Sequence, residues 1–413
     1  MKKYTKILFF LVIILLTLTA CASPQTAPAE SVAEDATYPA STELAESKAE
    51  NSENAPQASP LPTETQPPLT TPTAEPEPTA EPAFEIVIAP TLTRIEMIDT
   101  QNGWGQAEGL ILRTEDGGKT WLNVTPENAF GDPAYASAVF PDAQRGWILL
   151  VGDEDYSQSV LYKTADGGIN WTWRNMPFGR ASINFLDAEN GYVLENLGAG
   201  AGSNGVAIWT TQNGGDDYNR VFMHKPGYDA SLPLGGTKSG ISFINPQNGW
   251  ATGSQPQDGF VWFYRTQDGG FTWAHQNLSL PPLFENAQTR GFPPLFFESK
   301  LGILPLYLYS EESATVFYRT TNGGENWQAT SPILQQGKYD VLSANEIILW
   351  DGSSSLFFTR NGGATWESLQ PDWIPYDKLR ALTFVDILNG WALADDGLYR
   401  TEDGGLTWEK LGA

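Results

Sequence analysis

The sequence has few residues of the kinds that carry acid–base, redox or metal chemistry. Its 413 residues include one cysteine, Cys21, and two histidines, His224 and His275. A single cysteine excludes disulfides within the chain, and two histidines leave few candidates for acid–base or nucleophilic catalysis. We therefore predict no catalytic residues, no metal site and no cofactor.

Positive charge is also scarce. The chain carries 24 Lys and Arg against 49 Asp and Glu, a formal net charge of −25 at pH 7, and residues 84–413 alone carry −18. Nucleic-acid phosphate and anionic lipid headgroups attract clustered Lys and Arg. A domain this acidic therefore excludes nucleic acid as a partner.

A hydrophobic run long enough to span a bilayer comfortably is missing. The longest run, Ile7–Leu18, follows three lysines and has the length of a signal-peptide core. It leads into Leu18-Thr19-Ala20-Cys21, which resembles the lipobox of bacterial lipoproteins. The resemblance implies cleavage before Cys21 and lipid attachment to it. An ordinary secretory signal or a membrane anchor is the alternative.

Residues 22–83 form a tract of Pro, Thr, Ala, Ser and Glu in which Tyr38 is the single aromatic residue. Such a tract buries too little apolar surface to offset its ordering entropy, so we predict a disordered tether. The predicted organisation is a signal peptide (1–20), a lipidated cysteine with its tether (21–83) and a globular domain (84–413). The expected location is extracytoplasmic, on the cell surface or periplasmic side, with the lipid as the only membrane contact.

What the globular part does contain is a repeat. An eight-residue pattern, Thr-x-Asp/Asn-Gly-Gly-x-x-aromatic, occurs seven times at intervals of 39 to 55 residues. Its central position is occupied by Asp116, Asp166, Asn213, Asp268, Asn322, Asn361 and Asp403. Its last position is occupied by Trp121, Trp171, Tyr218, Trp273, Trp327, Trp366 and Trp408.

A second repeated element runs in register with the first: an apolar strand, an Asp or Asn turn, and Gly followed by an aromatic residue. Phe140-Pro141-Asp142 with Gly146-Trp147 is one copy. Each repeat therefore holds four short strands, which predicts an all-β fold, a single seven-bladed β-propeller of four-stranded blades. A linear solenoid is the competing repeat fold. The first and last units are as well formed as the others, which favours a closed ring.

The eight-residue pattern has a structural interpretation. We expect the Asp or Asn oxygen to accept backbone N–H groups two residues on, one of the glycines to supply a positive φ, and the aromatic residue to pack on its own hairpin. The pattern resembles the Asp-box, or BNR, repeat. We therefore assign its acids to turns rather than to catalysis or metal binding. We also expect residues 84–88 to form a strand that pairs with the last blade.

Both repeated elements occupy turns at the same end of each predicted blade, so the variable connections collect at the opposite end. These connections are 196–206, 223–240, 278–294 and 370–378. Variable loops on a rigid scaffold are where binding usually resides. The candidate binding residues there are Arg180, His224, Lys225, Tyr228, Phe284, Arg290, Phe292, Trp373 and Tyr376. The alternative is that these aromatics only pack within their own loops.

Asp-box families include enzymes and binding proteins. The Phe/Tyr-Arg-Ile-Pro motif of sialidases is absent, Thr93-Arg94-Ile95-Glu96 being the nearest string. The paired repeats more closely resemble the Ycf48/HCF136 photosystem II assembly factor family. That resemblance implies a non-enzymatic propeller that holds a membrane-protein client through an arginine-rich patch. Here four arginines precede the Thr of the eight-residue pattern, which predicts an outward-facing ladder instead: Arg113, Arg265, Arg319 and Arg400.

The sequence thus predicts a monomeric, lipid-anchored propeller that binds a protein or peptide client. The alternative is a carbohydrate-binding or glycoside-hydrolysing surface protein of the sialidase-like type, with a glycan as its partner. A glycosidase requires two carboxylates facing each other in a cleft, roughly 5–10 Å apart.

Overall fold

The structure is a computed structural model that describes residues 84–131, 136–152, 157–227, 229–351, 354–375 and 378–412. They lie within one compact unit, Pro76–Ala413. Cys21, the signal peptide and the tether are outside the described residues, as are Tyr228 and Tyr376. Within the described ranges we find no helical segment with the length and apolarity that crossing a bilayer requires.

The described chain is built from antiparallel strands in seven successive units of four or five strands. Unit 1 consists of β1 (Ile86–Val87), β2 (Leu92–Met97), β3 (Gly103–Ala107), β4 (Leu110–Thr114) and β5 (Trp121–Asn123). Unit 2 consists of β6 (Ser137–Val139), β7 (Gly146–Val151), β8 (Ser159–Thr164) and β9 (Thr172–Met176). Unit 3 consists of β10 (Ala181–Phe185), β11 (Gly191–Gly200), β12 (Ser203–Thr211) and β13 (Asn219–His224).

Units 4 and 5 share one ten-stranded sheet. Unit 4 consists of β14 (Thr237–Phe243), β15 (Gly249–Gln255), β16 (Phe263–Thr266) and β17 (Ala274–His275). After a 3-10 turn at Pro282–Phe284, β18 (Gln288–Gly291) pairs with both β15 and β20 and so joins the two units. Unit 5 consists of β19 (Leu295–Phe297), β20 (Leu301–Tyr309), β21 (Ala314–Thr320), β22 (Gln328–Ala329) and β23 (Ile333–Leu334).

The last two units return to the simple four-stranded plan, so the predicted all-β class is confirmed. Unit 6 consists of β24 (Lys338–Val341), β25 (Ile347–Trp350), β26 (Leu356–Thr359) and β27 (Glu367–Leu369). Unit 7 consists of β28 (Leu379–Phe384), β29 (Gly390–Ala394), β30 (Gly397–Thr401) and β31 (Glu409–Lys410).

The hydrophobic core is divided among the junctions between units. Each of the seven buried clusters joins two successive units, and the cluster containing Leu92 and Trp391 joins unit 1 to unit 7. Adjacent residues of one strand enter different clusters: Ile111 packs towards unit 2 and Leu112 towards unit 7. Both faces of each sheet are therefore buried, and the ring of units is closed.

The Gly-aromatic element forms the joint between successive units. Trp104 stacks on Phe140 of the next unit with ring centroids 4.3 Å apart, and Trp147 stacks on Phe185 at the same distance. The Trp104 Nε1–H donates to the Asp142 carbonyl at 3.0 Å, again in the next unit. The aromatic side chain of one unit thus completes the core and the turn of its neighbour.

The glycine before that aromatic residue is required by close packing. A Cβ atom on Gly146 would lie 2.8 Å from Cδ1 of Phe140, and one on Gly191 would lie 2.7 Å from Cδ1 of Phe185. The phenylalanine of the first strand therefore lies directly over the glycine of the second strand. Any larger residue would push the ring away from the neighbouring unit's aromatic residue.

The prediction of an outward arginine ladder is wrong. The side chains of Arg113 and Arg400 are only 13% exposed. Arg113 Nη1 donates to the Gly167 carbonyl of unit 2 at 2.8 Å, and Arg319 Nη2 donates to Asn345 Oδ1 of unit 6 at 3.1 Å. The guanidinium of Arg265 lies 5.5 Å from the centroid of the Trp250 ring. Strand pairing explains their position: three of these arginines lie opposite the tryptophan of the Gly-aromatic element, and Arg319 lies opposite Ile303.

The eight-residue turn is held by a fixed set of hydrogen bonds, seen at Asp116. The Thr114 hydroxyl donates to Asp116 Oδ1 at 2.9 Å and accepts the Gly118 N–H at 2.8 Å. Asp116 Oδ1 accepts the Thr120 N–H at 2.9 Å, four residues on rather than the two expected. Both glycines have positive φ, 76° at Gly117 and 90° at Gly118, where one was expected.

The N-terminal strand does not pair with the last unit, and that expectation is wrong. β1 pairs with β5 of unit 1, Val87 opposite Trp121. The ring closes by side-chain packing instead. Trp391 of unit 7 is fully buried, and its Nε1–H donates to the Gly117 carbonyl of unit 1 at 2.9 Å. No strand is exchanged between the two ends of the described chain.

We predict that Trp391 stabilises the closed ring. Trp391→Ala should lower the free energy of unfolding by about 3–5 kcal/mol, because it leaves a cavity at the junction. Trp391→Phe should cost about 1–3 kcal/mol, because it leaves the Gly117 carbonyl without its donor. Urea unfolding measures both. Trp173, which is 61% exposed, is the matched control: Trp173→Ala should change stability by about 0.5 kcal/mol or less. Equal losses of unfolding free energy in Trp391→Ala and Trp173→Ala would contradict the role of Trp391 in closing the ring.

The turn carboxylates predict an acid dependence of stability. Burial opposes the shift, but hydrogen bonds from the Thr120 side chain and backbone and from Thr114 leave the pKa of Asp116 below its ordinary value of 3.8. The pKa values of Asp166, Asp268 and Asp403 are lowered in the same way. Since the unfolded chain binds these protons more tightly, their stabilisation is present above pH 3.8 and is lost as pH falls through the folded-state values.

The substitution Asp116→Asn isolates this contribution, because three units already carry Asn at that position and Asn361 Oδ1 accepts the same backbone N–H. At pH 7 the variant should lose about 1 kcal/mol or less, whereas Asp116→Ala should lose about 1–3 kcal/mol. Between pH 5 and pH 3 the Asn variant should lose less stability than the parent protein. If the free energies of unfolding of the parent protein and the Asn variant decreased by the same amount between pH 5 and pH 3, this explanation would be contradicted.

Candidate functional site

The two ends of the sheets differ in what they present. Turns between first and second strands and between third and fourth strands lie at one end, called here the turn end. The remaining hairpins and all connections between units lie at the other, the connection end. Residues 196–206, expected to be a connection, mostly extend the β11–β12 hairpin, which turns at Ala201-Gly202.

Three of the candidate binding residues hold the structure together. Phe284 is 4% exposed and packs in the cluster between units 4 and 5, so its assignment to a binding surface is wrong. Half-buried Trp373 stacks on Tyr399 with ring centroids 3.6 Å apart. His224 Nδ1 lies 2.5 Å from the Leu232 carbonyl oxygen, and this hydrogen bond stabilises the connection that follows β13. These contacts fit the alternative interpretation of self-packed loops.

Other candidates remain on the surface of the connection end. Arg180, Lys225 and Arg290 are exposed. The Arg290 guanidinium lies 5.3 Å from the centroid of the Phe292 ring. Phe292 is half-buried and meets Tyr307 edge-on at 4.8 Å.

An apolar patch at unit 5 was missed by the sequence analysis. Three large apolar side chains lie exposed at the connection end of that unit or in the connection that leads into it: Leu283 (89%), Tyr309 (40%) and Leu334 (53%). Strand register places Tyr309 and Leu334 there, because Tyr309 ends β20 and Leu334 pairs with Ala314 at the start of β21. Leu295, which is 41% exposed, lies towards the turn end instead, opposite Ile303 near the start of β20. Leu283, Tyr309, Leu334 and Arg290 are called the unit 5 patch. Leu283 and Phe284 are adjacent apolar residues, and the sequence does not indicate which of the two is buried.

A polar groove of about 520 Å³ lies at the same end and is lined by residues of units 1 to 4. Its lining includes Arg94, Arg180, Lys238, Ser137, Ser182, Ser239, Asn196 and Asn204. Lys238 is buried, and its ammonium lies 2.6 to 3.3 Å from four backbone carbonyl oxygens, of Asn204, Leu234, Gly235 and Gly236, which provide acceptors for all three of its N–H groups. Burial lowers the pKa of Lys238 to about 8.

Two carboxylates on first strands bear on the glycosidase alternative. Burial raises the pKa of Glu96; the Arg94 charge opposes this shift and the Asp340 charge adds to it. Burial also raises the pKa of Asp340, against hydrogen bonds from the Phe384 and Val341 backbone and the Thr383 side chain. Asp340 Oδ2 accepts the Phe384 N–H of unit 7 at 2.7 Å, and Oδ1 accepts the Val341 N–H at 2.8 Å. Glu96 pairs with Arg94 at 3.2 Å. Asp340 thus ties two units together and offers no oxygen free of a backbone donor. In the part of the chain that the structure describes, no three His, Cys, Asp or Glu residues are grouped to hold a metal.

Comparison with known proteins identifies the architecture. The chain is similar to a GH74 xyloglucanase from Xanthomonas campestris, at 14% identity and a TM-score of 0.54 over 80% of this chain and 56% of the enzyme. At that identity the match shows the fold alone. The protein is a β-propeller, as predicted, and no family model matches it.

The sequence is also similar to that of a particular protein. It is 23% identical over 305 residues to photosystem II stability/assembly factor HCF136, chloroplastic, of Arabidopsis thaliana, covering 70% of this chain and 69% of that protein. A structure of YCF48 bound to D1 peptide matches at 19% identity and a TM-score of 0.49, over 78% of this chain and 96% of that one. The predicted resemblance to the Ycf48/HCF136 family is confirmed, at low identity.

Two adjacent residues test the assignment of core and surface in the connection between units 4 and 5. Phe284→Ala should lower the free energy of unfolding by about 3–5 kcal/mol, because it empties a core position. Leu283→Ala should change it by about 0.5 kcal/mol or less, since that side chain lies in solvent. Chemical denaturation of both variants measures the difference. A larger loss at Leu283 than at Phe284 would show that this connection folds differently.

Proposed function

We propose that this protein is a non-enzymatic, extracytoplasmic binding protein that holds a protein or peptide client, in an assembly role like that of the stability and assembly factor HCF136. The observation that carries the proposal is the unit 5 patch. Soluble monomers rarely leave several large apolar side chains exposed together unless they meet a partner. At the turn end the acids, threonines and glycines are engaged in turns, and the exposed apolar side chains are spread over units 2, 4 and 7: Ile169, Phe271, Leu388 and Leu406. We therefore assign binding to the connection end.

The composition of the patch fits a protein client. Leu283, Leu334 and Tyr309 supply apolar and aromatic contact, while Arg290 lies over Phe292 at the edge. Aromatic residues and arginine are enriched in protein interfaces, and charged groups such as Lys and Glu are depleted from interface cores. The acidic remainder of the domain favours solubility and discourages nonspecific binding to anionic surfaces.

The membrane attachment is part of the proposal. Cleavage before Cys21 would leave a lipidated N-terminus, and two or more acyl chains anchor stably where one does not. Residues 22–83 would then separate the propeller from the membrane, on the cell surface or periplasmic side. The client is thus sought among proteins of the same envelope.

A binding role is favoured over glycoside hydrolysis by the state of the first-strand carboxylates. A glycosidase needs an acid and a second carboxylate free to act on the sugar from two sides. Asp340 accepts two backbone N–H groups, and Glu96 is paired with Arg94. Each of these carboxylates already has a hydrogen-bond or ion-pair partner within the protein, which favours a structural role for both.

Site-specific photocrosslinking tests the proposed client surface. A photoreactive residue at Leu283 should crosslink one defined protein in cells that make this chain, because this side chain is the most exposed of the unit 5 patch, at 89%. The matched control is the same photoreactive residue at Leu406, 51% exposed but on the turn end, where no crosslink is expected. Equal crosslinking at both positions, or binding on a glycan array with no protein crosslink at Leu283, would contradict the proposal.

A further inference from the structure

The outer edge of unit 1 carries an added strand. Among the described strands, the sheets of units 2, 3, 6 and 7 end at their fourth strand, whereas in unit 1 the strand β1 lies beyond the fourth strand, β5. Val87 of β1 lies opposite Trp121 in antiparallel register. The Asn123 N–H of β5 also donates to the Glu85 carbonyl at 2.9 Å. This sheet edge therefore accepts a further strand by main-chain hydrogen bonding.

The strand that fills this edge is short and partly exposed. Two residues of β1 pair with β5, whereas five residues of β9 pair with the third strand of unit 2. The side chains of Ile86 and Ile88 are 61% and 71% exposed. Ala89 then has a φ of 49°, in the left-handed region that residues with a β-carbon rarely adopt. Terminal segments with few buried contacts open locally, so we expect β1 to leave the edge while the ring stays folded.

The inner side of β1 packs on the junction between units 1 and 7. Val87 is half-buried against the cluster that contains Trp121, Leu398 and Leu411. The same three cluster residues line a cavity of about 370 Å³, and Ala89 lines it too. Because side chains alternate along a strand, residue 89 is the next inward position after Val87. A strand that continued straight and carried a larger side chain there would reach into the cavity.

We propose that the β5 edge of unit 1 is a second protein-binding site, which takes an extended apolar segment of a client protein by strand addition, and that β1 occupies this edge until the client displaces it. In strand addition the main-chain hydrogen bonds give affinity, and pockets for alternate side chains give specificity. Here β5 supplies the hydrogen bonds, and the cavity beside Trp121 supplies the pocket.

The client segment must offer something that β1 does not. As part of the same chain, β1 competes at a high effective concentration, so a ligand with the same contacts would not displace it. A client segment with leucine or phenylalanine at the position of Ala89 would gain contacts inside the cavity. The β1 strand of a second copy would gain none, which favours a client segment over an exchange of strands between copies.

This site is separate from the unit 5 patch, because it is built from unit 1 and its junction with unit 7. Only the identity of the occupant rests on the proposed client role. Peptide binding at the β5 edge would stand even if no crosslink formed at Leu283. Failure of the β5 edge to bind peptide would leave the crosslinking experiment unaffected.

Fluorescence anisotropy on the full-length protein tests the site with a labelled peptide, Phe-Glu-Ile-Val-Ile-Leu, which repeats residues 84–88 and adds leucine at the next position. The substitution Val87→Asp places a charge against Trp121 and should release β1. The peptide should then bind at least about 10-fold more tightly than it binds the parent protein, because the apparent affinity scales with the fraction of molecules whose edge is free. Chemical denaturation verifies that the variant stays folded.

Ile86→Asp is the matched control, because it introduces the same charge at the neighbouring, exposed position. It should bind the peptide as the parent protein does. A control peptide with aspartate in place of its valine should bind none of the three proteins. Equal affinity of the first peptide for Val87→Asp and for the parent protein would overturn the proposal. A doubling of molecular mass in Val87→Asp without peptide binding would overturn it too, because the edge would then take a second copy.

Hydrogen exchange in the parent protein is an independent test that needs no variant. The Asn123 N–H donates to Glu85 beside β1, whereas the adjacent Val124 N–H donates to the Ile111 carbonyl of β4 at 3.0 Å. If β1 opens locally, the protection factor of the Asn123 amide should be at least about 10-fold lower than that of the Val124 amide. Equal protection of the two amides would show that β1 leaves only when unit 1 unfolds, and would overturn the proposal.

Discussion

The structure depends on one repeated contact, in which an aromatic side chain of one unit completes the core of the next. Trp104 stacks on Phe140 and donates to a carbonyl of the following unit, and Trp391 makes the same kind of bond from unit 7 to unit 1. No unit has a core of its own, since every buried cluster is shared by two units. The repeats therefore stabilise one another only as a closed ring. Both faces of each sheet are buried, so side chains on both faces must be apolar or have hydrogen-bond partners.

Because of this repeated contact, the two ends of the molecule differ in how their residues are used. At the turn end, the acids, threonines and glycines are occupied in turns, and the arginines before them reach into the neighbouring unit. The polar groups of the repeated turns are thus used within the fold. At the connection end, neither the turns nor the joints fix the sequence, so the chain accommodates exposed leucines at unit 5 and a polar groove at units 1 to 4. The proposed client binding at the unit 5 patch follows from that freedom.

The local parts of this arrangement were predictable from sequence, and the long-range parts were not. The turn around Asp116 is determined by residues within eight positions, so its threonine, acid and glycines signal it directly. The role of Arg113 depends on Gly167, which is 54 residues away, and alternation along the strand suggested exposure instead. Phe284 and Leu283 are neighbours with opposite burial, because the connection turns between them. The pairing of β1 with unit 1 likewise depends on where the chain crosses, which no pattern in residues 84–88 specifies.

The central claim is that the turn end is structural and the connection end binds. It is tested most directly by measuring client crosslinked per folded molecule, normalised to the folded fraction from denaturation, in two variants. Asp166→Ala should lower stability and leave crosslinking per folded molecule unchanged. Leu334→Glu, at an exposed position, should leave stability unchanged and reduce crosslinking severalfold. The reverse pattern, with crosslinking lost in Asp166→Ala and kept in Leu334→Glu, would contradict the account.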